Sequence, residues 1–256
     1  MDFTKELPAV LSLCSGYGGI ERGLELAGFK HTVIAFSEIE AFAIANLVAK
    51  MEANLLSPAP VYTNLKTLPA HLFRDRVDLI TGGYPCQPFS AAGKRLGEDD
   101  PRHLWPYIRG HIESIRPVRC FFENVEGHIS LGLREVIADL ESLGYLTTWG
   151  IFSAREVGAP HQRKRVYILA DSSGKGLQRC GITRNISGKE SQPDDQFAPR
   201  CNSAQIGEWE PEPGVGRVAD GIADRVDRIR MLGNGIVPQT AAKAWSVLSK
   251  RMEITQ

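Results

Sequence analysis

Apolar residues recur along this chain in short runs that alternate with longer stretches of helical spacing. The short runs predict β-strands over Ala9–Leu13, Val33–Phe36, Val77–Thr81, Arg119–Phe122, Leu146–Phe152 and Val166–Ala170. The longer stretches predict helices over about Glu21–Ala27, Glu40–Lys50, Leu104–Ile115, Leu133–Leu143 and Thr240–Met252. Alternation of this kind is typical of an α/β fold, in which a mostly parallel sheet is covered by helices on both faces.

This alternation stops at Asp171, where the composition changes. From there to about Gly216 the chain is rich in Ser, Gly, Pro, Asn and Gln and has no hydrophobic period. A disordered insert, a linker and a small irregular recognition module all fit that composition. We therefore predict a catalytic and cofactor-binding domain over residues 1–170, a small recognition or insert region over 171–230, and a C-terminal segment, 231–256, that returns to the first domain.

Length and charge limit the classes of function. The chain has 256 residues, 43% of them hydrophobic and 23% charged, with a formal net charge of +0. One catalytic domain fits this length, and any contact with nucleic acid has to come from a local basic surface, because no overall field would attract it. The five cysteines form no C-x-x-C pair, so we expect reduced thiols, no metal site and a cytoplasmic location. The apolar run Leu7–Cys14 is too short to span a membrane.

A glycine-rich turn, Ser15-Gly16-Tyr17-Gly18-Gly19-Ile20, joins the first predicted strand to the first helix. Glycines let the backbone turn sharply and approach a ligand, and a helix N-terminus offers free N–H donors; a plain tight turn is the alternative. Glu38 follows the second strand, where a carboxylate can accept hydrogen bonds from ribose hydroxyls. The chain has neither G-x-G-x-x-G nor a P-loop, so the pattern favours a nucleoside-bearing cofactor without a pyrophosphate.

A second loop, Gly82–Ser90, follows the strand Val77–Thr81 and contains Cys86. This places the cysteine just beyond the carboxyl end of a central strand, where α/β sheets bind their ligands. Pro85 and Pro88 flank it and stiffen the loop. A lone cysteine is usually a small buried apolar residue. The polar, glycine-rich surroundings of Cys86 favour a reactive thiol instead.

The segment Gly83–Ser90 resembles the Pro-Cys-Gln loop of the DNA cytosine-C5 methyltransferases, and the first loop with Glu38 resembles that family's cofactor motifs. The similarity extends over Val10–Ala170 and Arg217–Trp245, with the motifs in the family's order. It implies a Rossmann-like S-adenosylmethionine-dependent methyltransferase fold. It also implies transfer of a methyl group from S-adenosyl-L-methionine to a cytosine flipped out of double-stranded DNA, through a covalent bond between Cys86 and cytosine C6.

Two further motifs extend the resemblance and supply the remaining catalytic residues. Glu123 ends a very apolar strand, where desolvation raises a carboxyl pKa. The resemblance implies that this Glu hydrogen-bonds the N3 edge of cytosine. The alternative is that Glu123 caps the next segment. Arg163 and Arg165 share one side of an extended chain. The resemblance implies that Arg165 contacts cytosine O2 and that Arg163 supports the segment around Cys86. The alternative is that both arginines belong to a solvated basic face. The resemblance places the cofactor contacts at Ser15, Gly16, Gly18, Gly19, Ile20, Glu38, Ile39, Asn64, Leu65, Pro85 and Asn234.

The chain departs from the family pattern at four positions. Ser12 stands for the common Asp, Cys14 for Phe, Asn64 for Asp and His161 for Gln. An Asn can still accept a hydrogen bond from the adenine amino group, so we expect weaker but not abolished cofactor binding. None of the four changes removes the nucleophile or the carboxylate.

The recognition region is short for this family and resembles phage or prophage versions. Arg217, Arg225, Arg228 and Arg230 form a basic stretch at its C-terminal end, which is either a DNA contact or a solvated helix face. A cytosine-C5 methyltransferase that acts on tRNA is an alternative function, and an inactive DNA-binding homologue is another. The intact Cys86 and Glu123 argue against the inactive form. We expect double-stranded DNA as the partner, a monomer, and a companion restriction endonuclease.

Overall fold

The computed structural model describes residues 7–85, 104–172 and 235–255. Its strands are β1 (Ala9–Leu13), β2 (Thr32–Ser37), β3 (Val61–Tyr62), β4 (Leu79–Gly82), β5 (Arg119–Val125), β6 (Leu146–Ser153) and β7 (Lys164–Asp171). Its helices are α1 (Gly19–Leu26), α2 (Ala41–Glu52), α3 (Trp105–Ile115), α4 (His128–Leu131), α5 (Leu133–Ser142) and α6 (Pro238–Thr255). Short 3-10 turns lie at Leu65–Thr67, Ala70–Phe73 and Ala154–Val157.

These strands form one sheet in the order β3-β2-β1-β4-β5-β7-β6. Neighbours from β3 to β5 run parallel, whereas β7 runs antiparallel to both β5 and β6. Leu13 at the end of β1 pairs with Ser37 of β2 and with Gly82 of β4. The loops that leave these three strands therefore start from the same edge of the sheet. The predicted α/β fold with a mostly parallel sheet is confirmed.

Side-chain alternation in the strands divides the apolar core between the two faces of the sheet. Phe121 and Phe122 are consecutive in β5 and belong to different buried clusters, as the two-residue period of a strand requires. The Phe122 cluster takes in Ile108 and Ile112 of α3 and Val136 and Leu140 of α5. The Phe121 cluster takes in Ile20 and Leu24 of α1 and Ala241 and Leu248 of α6. Burial of each such side chain stabilises the fold by roughly 1.5–3 kcal/mol.

Pairing between β5 and β7 extends both strands beyond the apolar runs that predicted them. The ladder runs from Arg119 opposite Asp171 to Val125 opposite Arg165. Backbone hydrogen bonds of the ladder do not depend on side-chain polarity, so polar residues join the strands, and Glu123 lies inside β5 instead of after it. The two-residue strand β3 was not predicted because two residues are too few to show a period.

No helix in the described parts of the chain is long and apolar enough to cross a membrane. The boundaries predicted at residues 171 and 230 remain predictions, because residues 173–234 lie outside the described ranges.

Candidate active site

Glu123 lies at the edge of the sheet from which the β1, β2 and β4 loops leave. Gly82 at the end of β4 pairs with Phe122, so Glu123 is one residue beyond that level in β5. A Cβ atom added to Gly83 would lie 3.4 Å from Oε2 of Glu123. The carboxylate is only 8% exposed. It therefore faces the start of the loop that leads to Cys86.

Arg165 is the direct partner of this carboxylate. Its Nε lies 2.9 Å from Oε1 of Glu123. The two residues come together because Val125 pairs with Arg165, and Glu123 is two residues earlier on the same face of the sheet. Burial raises the pKa of Glu123 to about 7, and the charges of Arg165 and Arg163 only partly oppose that rise. The carboxyl group thus exchanges a proton near neutral pH.

Arg163 approaches the same site from just before β7. Its backbone is in the left-handed region, with φ of 35°, and its guanidinium donates to the carbonyl oxygen of Gly235. Lys164 points elsewhere and pairs with exposed Glu126 at 3.3 Å. Arg163 and Arg165 thus both act on the carboxyl group of Glu123. Arg163 also connects these three side chains to the C-terminal segment.

The start of the nucleophile loop is held against β5. The side-chain amide of Asn124 donates to the carbonyl oxygen of Tyr84 over 3.1 Å, and Tyr84 is buried. Pro85 is exposed. Cys86 and the rest of that loop lie outside the described residues, so the assignment of Cys86 as nucleophile stays a prediction.

The two described cysteines have environments that suppress thiolate formation. Burial raises the pKa of Cys14 to about 12, with a smaller contribution from the charge of Glu38. Burial alone raises the pKa of Cys120 even further. A thiol attacks as its thiolate, so neither residue is a nucleophile near neutral pH.

The glycine-rich turn after β1 adopts a conformation that requires glycine. Gly16 has φ of 54° and Gly18 has φ of 80°, and both values lie in the left-handed region. The backbone N–H of Gly16 donates to Oε2 of Glu38 over 2.7 Å. The other oxygen of Glu38 accepts from the N–H groups of Ile39 and Glu40 at 2.8 and 2.9 Å. Glu38 therefore fixes the turn after β1 against the end of β2.

The other predicted cofactor residues divide into exposed and buried groups. Ile39 is 75% exposed, and Asn64 is exposed, with its side-chain oxygen accepting from the N–H of Lys66. The buried group consists of Ser15, Gly19, Ile20 and Leu65. Within it, the Ser15 hydroxyl donates to the carbonyl oxygen of Ser12. The buried residues shape the loops, whereas the exposed ones offer surface to a ligand.

The C-terminal segment returns to the first loop. The Tyr17 hydroxyl donates to the carbonyl oxygen of Ile236, and a Cβ atom on Gly19 would lie 2.9 Å from that same oxygen. The side chain of Ile236 also meets Gly83, where an added Cβ would lie 2.8 Å from Cδ1 of Ile236. Residues 235–237 thus contact both the first loop and the start of the nucleophile loop. Asn234 itself lies outside the described residues.

A family model described as C-5 cytosine-specific DNA methylase matches residues 9–209 of this chain. The chain belongs to this family. Among curated proteins, type II methyltransferase M.NaeI of Lentzea aerocolonigenes is 34% identical over 167 residues, which are 63% of this chain and 39% of that protein. Type II methyltransferase M.BsuRI of Bacillus subtilis is 32% identical over 193 residues, 66% of this chain and 44% of that protein. The chain thus spans less than half the length of either relative.

Among solved structures, the Dnmt2 methyltransferase of S. pombe superposes with a TM-score of 0.55 and 28% identity. The superposition covers 66% of this chain and 52% of that one. The fold is therefore that of the S-adenosylmethionine-dependent methyltransferases, as predicted.

The residues of the first loop fit S-adenosylmethionine. A Cβ atom on Gly16 would meet nothing within 4 Å, so open space adjoins the turn. Glu38 borders this turn with a carboxylate, and Ile39 beside it is exposed. A separate cavity of about 320 Å³ is lined by residues that include Glu21, Glu25 and His31. None of the predicted site residues lines that cavity.

Sequence reasoning missed four residues that lie around Glu123 and the start of the loop that leads to Cys86. Tyr17 contacts the C-terminal segment, Tyr84 and His128 hydrogen-bond beneath the nucleophile loop, and Tyr167 pairs with Glu123 across β5 and β7. The Tyr167 hydroxyl is buried without a hydrogen-bond partner among the described residues. Tyr17, an aromatic residue between glycines, and Tyr84, which lies within Gly83–Ser90, each had a local signal. His128 and Tyr167 are recognised by contacts that are remote in sequence.

Proposed function

We propose that this chain transfers a methyl group from S-adenosyl-L-methionine to carbon 5 of a cytosine flipped out of double-stranded DNA. The observation that supports this most directly is the Glu123–Arg165 pair, 2.9 Å apart, beside the start of the nucleophile loop. A carboxyl group and a guanidinium held side by side match the N3 and O2 edge of a cytosine. Membership of the C-5 cytosine-specific DNA methylase family supports the same reaction.

Cys86 is the proposed nucleophile. Carbon 5 of cytosine attacks electrophiles poorly because the ring is aromatic and electron-poor. When the thiolate adds to C6, a sulfur–carbon bond forms and the C5–C6 π electrons become available at C5, which takes the methyl group. Loss of the C5 proton to a base then re-forms the double bond and breaks the bond to Cys86. Covalent catalysis of this kind divides one difficult step into easier ones.

Glu123 and Arg165 stabilise the ring while the thiolate is attached. Addition at C6 builds negative charge on N3 and O2. Protonated Glu123 donates to N3, and its pKa of about 7 leaves that proton available near neutral pH. Arg165 donates to O2, and its positive charge offsets the developing negative charge. Arg163 keeps residue 235 next to this pair through its bond to the Gly235 carbonyl.

The bound cofactor supplies an electrophilic methyl group on a sulfonium sulfur. Glu38 is placed to accept hydrogen bonds from the ribose hydroxyls, and Asn64 to face the adenine amino group. Ser15, Gly16, Gly18, Gly19 and Ile20 form the turn that borders the amino-acid part, while Ile39, Leu65, Pro85 and Asn234 complete the pocket. The shape of this turn depends on Glu38 holding the Gly16 N–H.

Flipping the target base out of a duplex costs a few kcal/mol, which contacts with the DNA have to offset. We assign those contacts to the region 171–230, including Arg217, Arg225, Arg228 and Arg230, which lie outside the described residues. We also propose that the enzyme works as a monomer beside a restriction endonuclease of the same specificity. Sedimentation at working concentration tests the first statement, and protection of methylated DNA from cleavage tests the second.

Transfer of a labelled methyl group from the cofactor to duplex DNA, compared with tRNA, is the deciding experiment. We expect label in DNA as 5-methylcytosine and none in tRNA. Label in tRNA alone would replace the proposed substrate with RNA. Cofactor and DNA binding without any transfer would identify an inactive homologue.

A further inference from the structure

Two buried polar rings form a hydrogen bond beneath the start of the nucleophile loop. The Tyr84 hydroxyl lies 3.0 Å from Nε2 of His128. Tyr84 is 3% exposed and His128 is 0% exposed. Their ring centroids are 5.6 Å apart and the ring planes are nearly perpendicular, at 83°. Tyr84 is two residues before Cys86, and His128 begins the short helix α4.

Tyr84 is held through its backbone, its ring and its hydroxyl. Its backbone carbonyl accepts from the amide of Asn124 over 3.1 Å. Its ring packs against Trp105 and Phe122, with centroid distances of 5.6 and 5.9 Å. Its hydroxyl meets His128. The hydroxyl contact is a directed interaction at the far end of the side chain from the carbonyl that Asn124 holds, so it opposes rotation of the segment about that carbonyl.

The position of His128 leaves one of its ring nitrogens unsatisfied within the described part of the chain. Its other ring nitrogen, Nδ1, is buried and has no hydrogen-bond partner among the described residues. Burial lowers the pKa of His128 to about 4, so the ring is neutral near pH 7. An unpaired buried polar atom destabilises a fold. An apolar ring of similar size would fill the same space without that cost. What His128 provides, and an apolar ring would not, is the bond to Tyr84.

Residues 123–128 thus supply the carboxyl group of the site and also hold the start of the loop that leads to Cys86. Glu123 provides the carboxyl group, while Asn124 and His128 both hold Tyr84. Errors in the relative position of the nucleophile and the acid are small when both are held by the same short segment of chain. In enzymes a displacement of about 1 Å can lower the rate about 100-fold.

We propose that His128 is a positioning residue for the reaction: by its hydrogen bond to Tyr84 it fixes Gly83–Pro85 against the start of α4 and so sets the place from which Cys86 attacks. The inference rests on the proposed function. His128 touches no reacting atom and acts only through Tyr84.

Four variants test the proposal in the full chain. Tyr84→Phe and His128→Phe each remove the bond but keep an aromatic ring, and the third variant combines both changes. His128→Gln restores a side-chain amide that can reach the Tyr84 hydroxyl. We expect each single Phe variant to lower kcat about 10- to 100-fold, with a smaller change in the KM for the cofactor, because Pro85 is only one of the residues assigned to its pocket. The double variant should lose no more than either single one, and His128→Gln should recover part of the rate.

A second measurement does not depend on activity. Amide hydrogen exchange at Gly83 and Tyr84 should speed up at least about tenfold in both Phe variants, because local opening becomes easier. Tyr145→Phe is the matched control: its buried hydroxyl donates to the carbonyl of Pro117 over 2.7 Å, in the same core but away from the loop. It should leave kcat and the exchange of Gly83 and Tyr84 unchanged.

The outcomes separate this inference from the proposed function. Wild-type protein that transfers no methyl group to DNA would reject the function, while faster exchange in the Phe variants would still support the role of His128 in holding the loop. Unchanged exchange and unchanged kcat in the Phe variants would overturn the inference. So would losses in kcat that simply multiply in the double variant, because two residues that act through one bond cannot act independently.

Discussion

The ring of Tyr17 lies where any side chain at position 235 would have to be. A Cβ atom added to Gly235 would fall 2.0 Å from Cε1 of Tyr17, and the Tyr17 hydroxyl donates to the carbonyl oxygen of the next residue, Ile236. The first loop and the C-terminal segment therefore depend on each other for their shape. Because Arg163 donates to Gly235, this contact is also linked to Glu123, whose carboxyl group feels the charge of Arg163.

Gly235→Ala should consequently displace either Tyr17 or the C-terminal segment. We expect a loss of roughly 1–3 kcal/mol in the free energy of unfolding, the usual cost of overpacking, together with weaker cofactor binding. Tyr17→Ala in the same chain should recover part of the stability by opening space. Urea denaturation measures both effects. Gly110→Ala in α3, where a Cβ meets nothing within 4 Å, is the control and should not destabilise. Equal stability of the two variants would contradict the packing argument.

The buried carboxyl of Glu123 should make stability depend on pH. Its pKa is about 7 in the folded protein and 4.5 ordinarily, so between these values the folded state binds more protons than the unfolded state. The free energy of unfolding should therefore fall as pH rises through this window, by about 3 kcal/mol from this group alone. Glu123→Gln should remove that part of the slope.

The measurement is urea denaturation of wild type and Glu123→Gln at several pH values from about 5 to 8. Glu113→Gln is the control, because Glu113 is a surface carboxylate with its side chain 54% exposed. It should keep the wild-type slope. Parallel curves for wild type and Glu123→Gln would show that the pKa of Glu123 is not raised.

Glu38 should contribute to cofactor affinity in two ways. Its carboxylate is the proposed ribose contact, and it holds the N–H groups of Gly16, Ile39 and Glu40. We expect Glu38→Ala to weaken binding of S-adenosylmethionine by about 1–3 kcal/mol, measured by titration calorimetry. Glu52→Ala, at an exposed position of α2, should bind like wild type. Unchanged affinity in Glu38→Ala would show that the ribose contact is misplaced.

Cys86 should form the covalent bond with DNA. A duplex with 5-fluorocytosine at the target should trap the protein, because fluorine cannot leave C5 as a proton does. Cys86→Ala should trap none, as seen on a denaturing gel. Cys120→Ala should still trap, since the Cys120 thiol is buried and its pKa is raised. Trapping by Cys86→Ala would eliminate Cys86 as the nucleophile.

The arginines before the C-terminal segment should contact DNA phosphates. We expect the double change of Arg225 and Arg228 to Ala to lower DNA affinity and to reduce the slope of log affinity against log salt by about one to two units. Cofactor affinity should be unchanged. A salt titration of DNA binding makes the comparison. An unaltered slope would instead support a solvated helix face.

Local patterns in the sequence were enough to predict most of the architecture. The alternation of short apolar runs with helical spacing predicted six of the strands within a few residues, and the parallel sheet followed from their order along the chain. Glycines after β1 and prolines around Cys86 marked the two loops at the carboxyl ends of strands. These features are readable because hydrophobic period and turn chemistry act between residues that are close in sequence.

Contacts between distant residues were decided only by the tertiary structure. The sequence named Glu123 and Arg165, but their distance of 2.9 Å depends on antiparallel pairing of β5 with β7. The contact between Tyr84 and His128 depends on parallel pairing of β4 with β5, and the contact of Tyr17 with Gly235 on the return of the C-terminal segment. A hydrophobic period shows which face of an element is buried, but it does not show the register of its neighbour. That register is set by packing of the whole core, so these pairings cannot be read from any one segment.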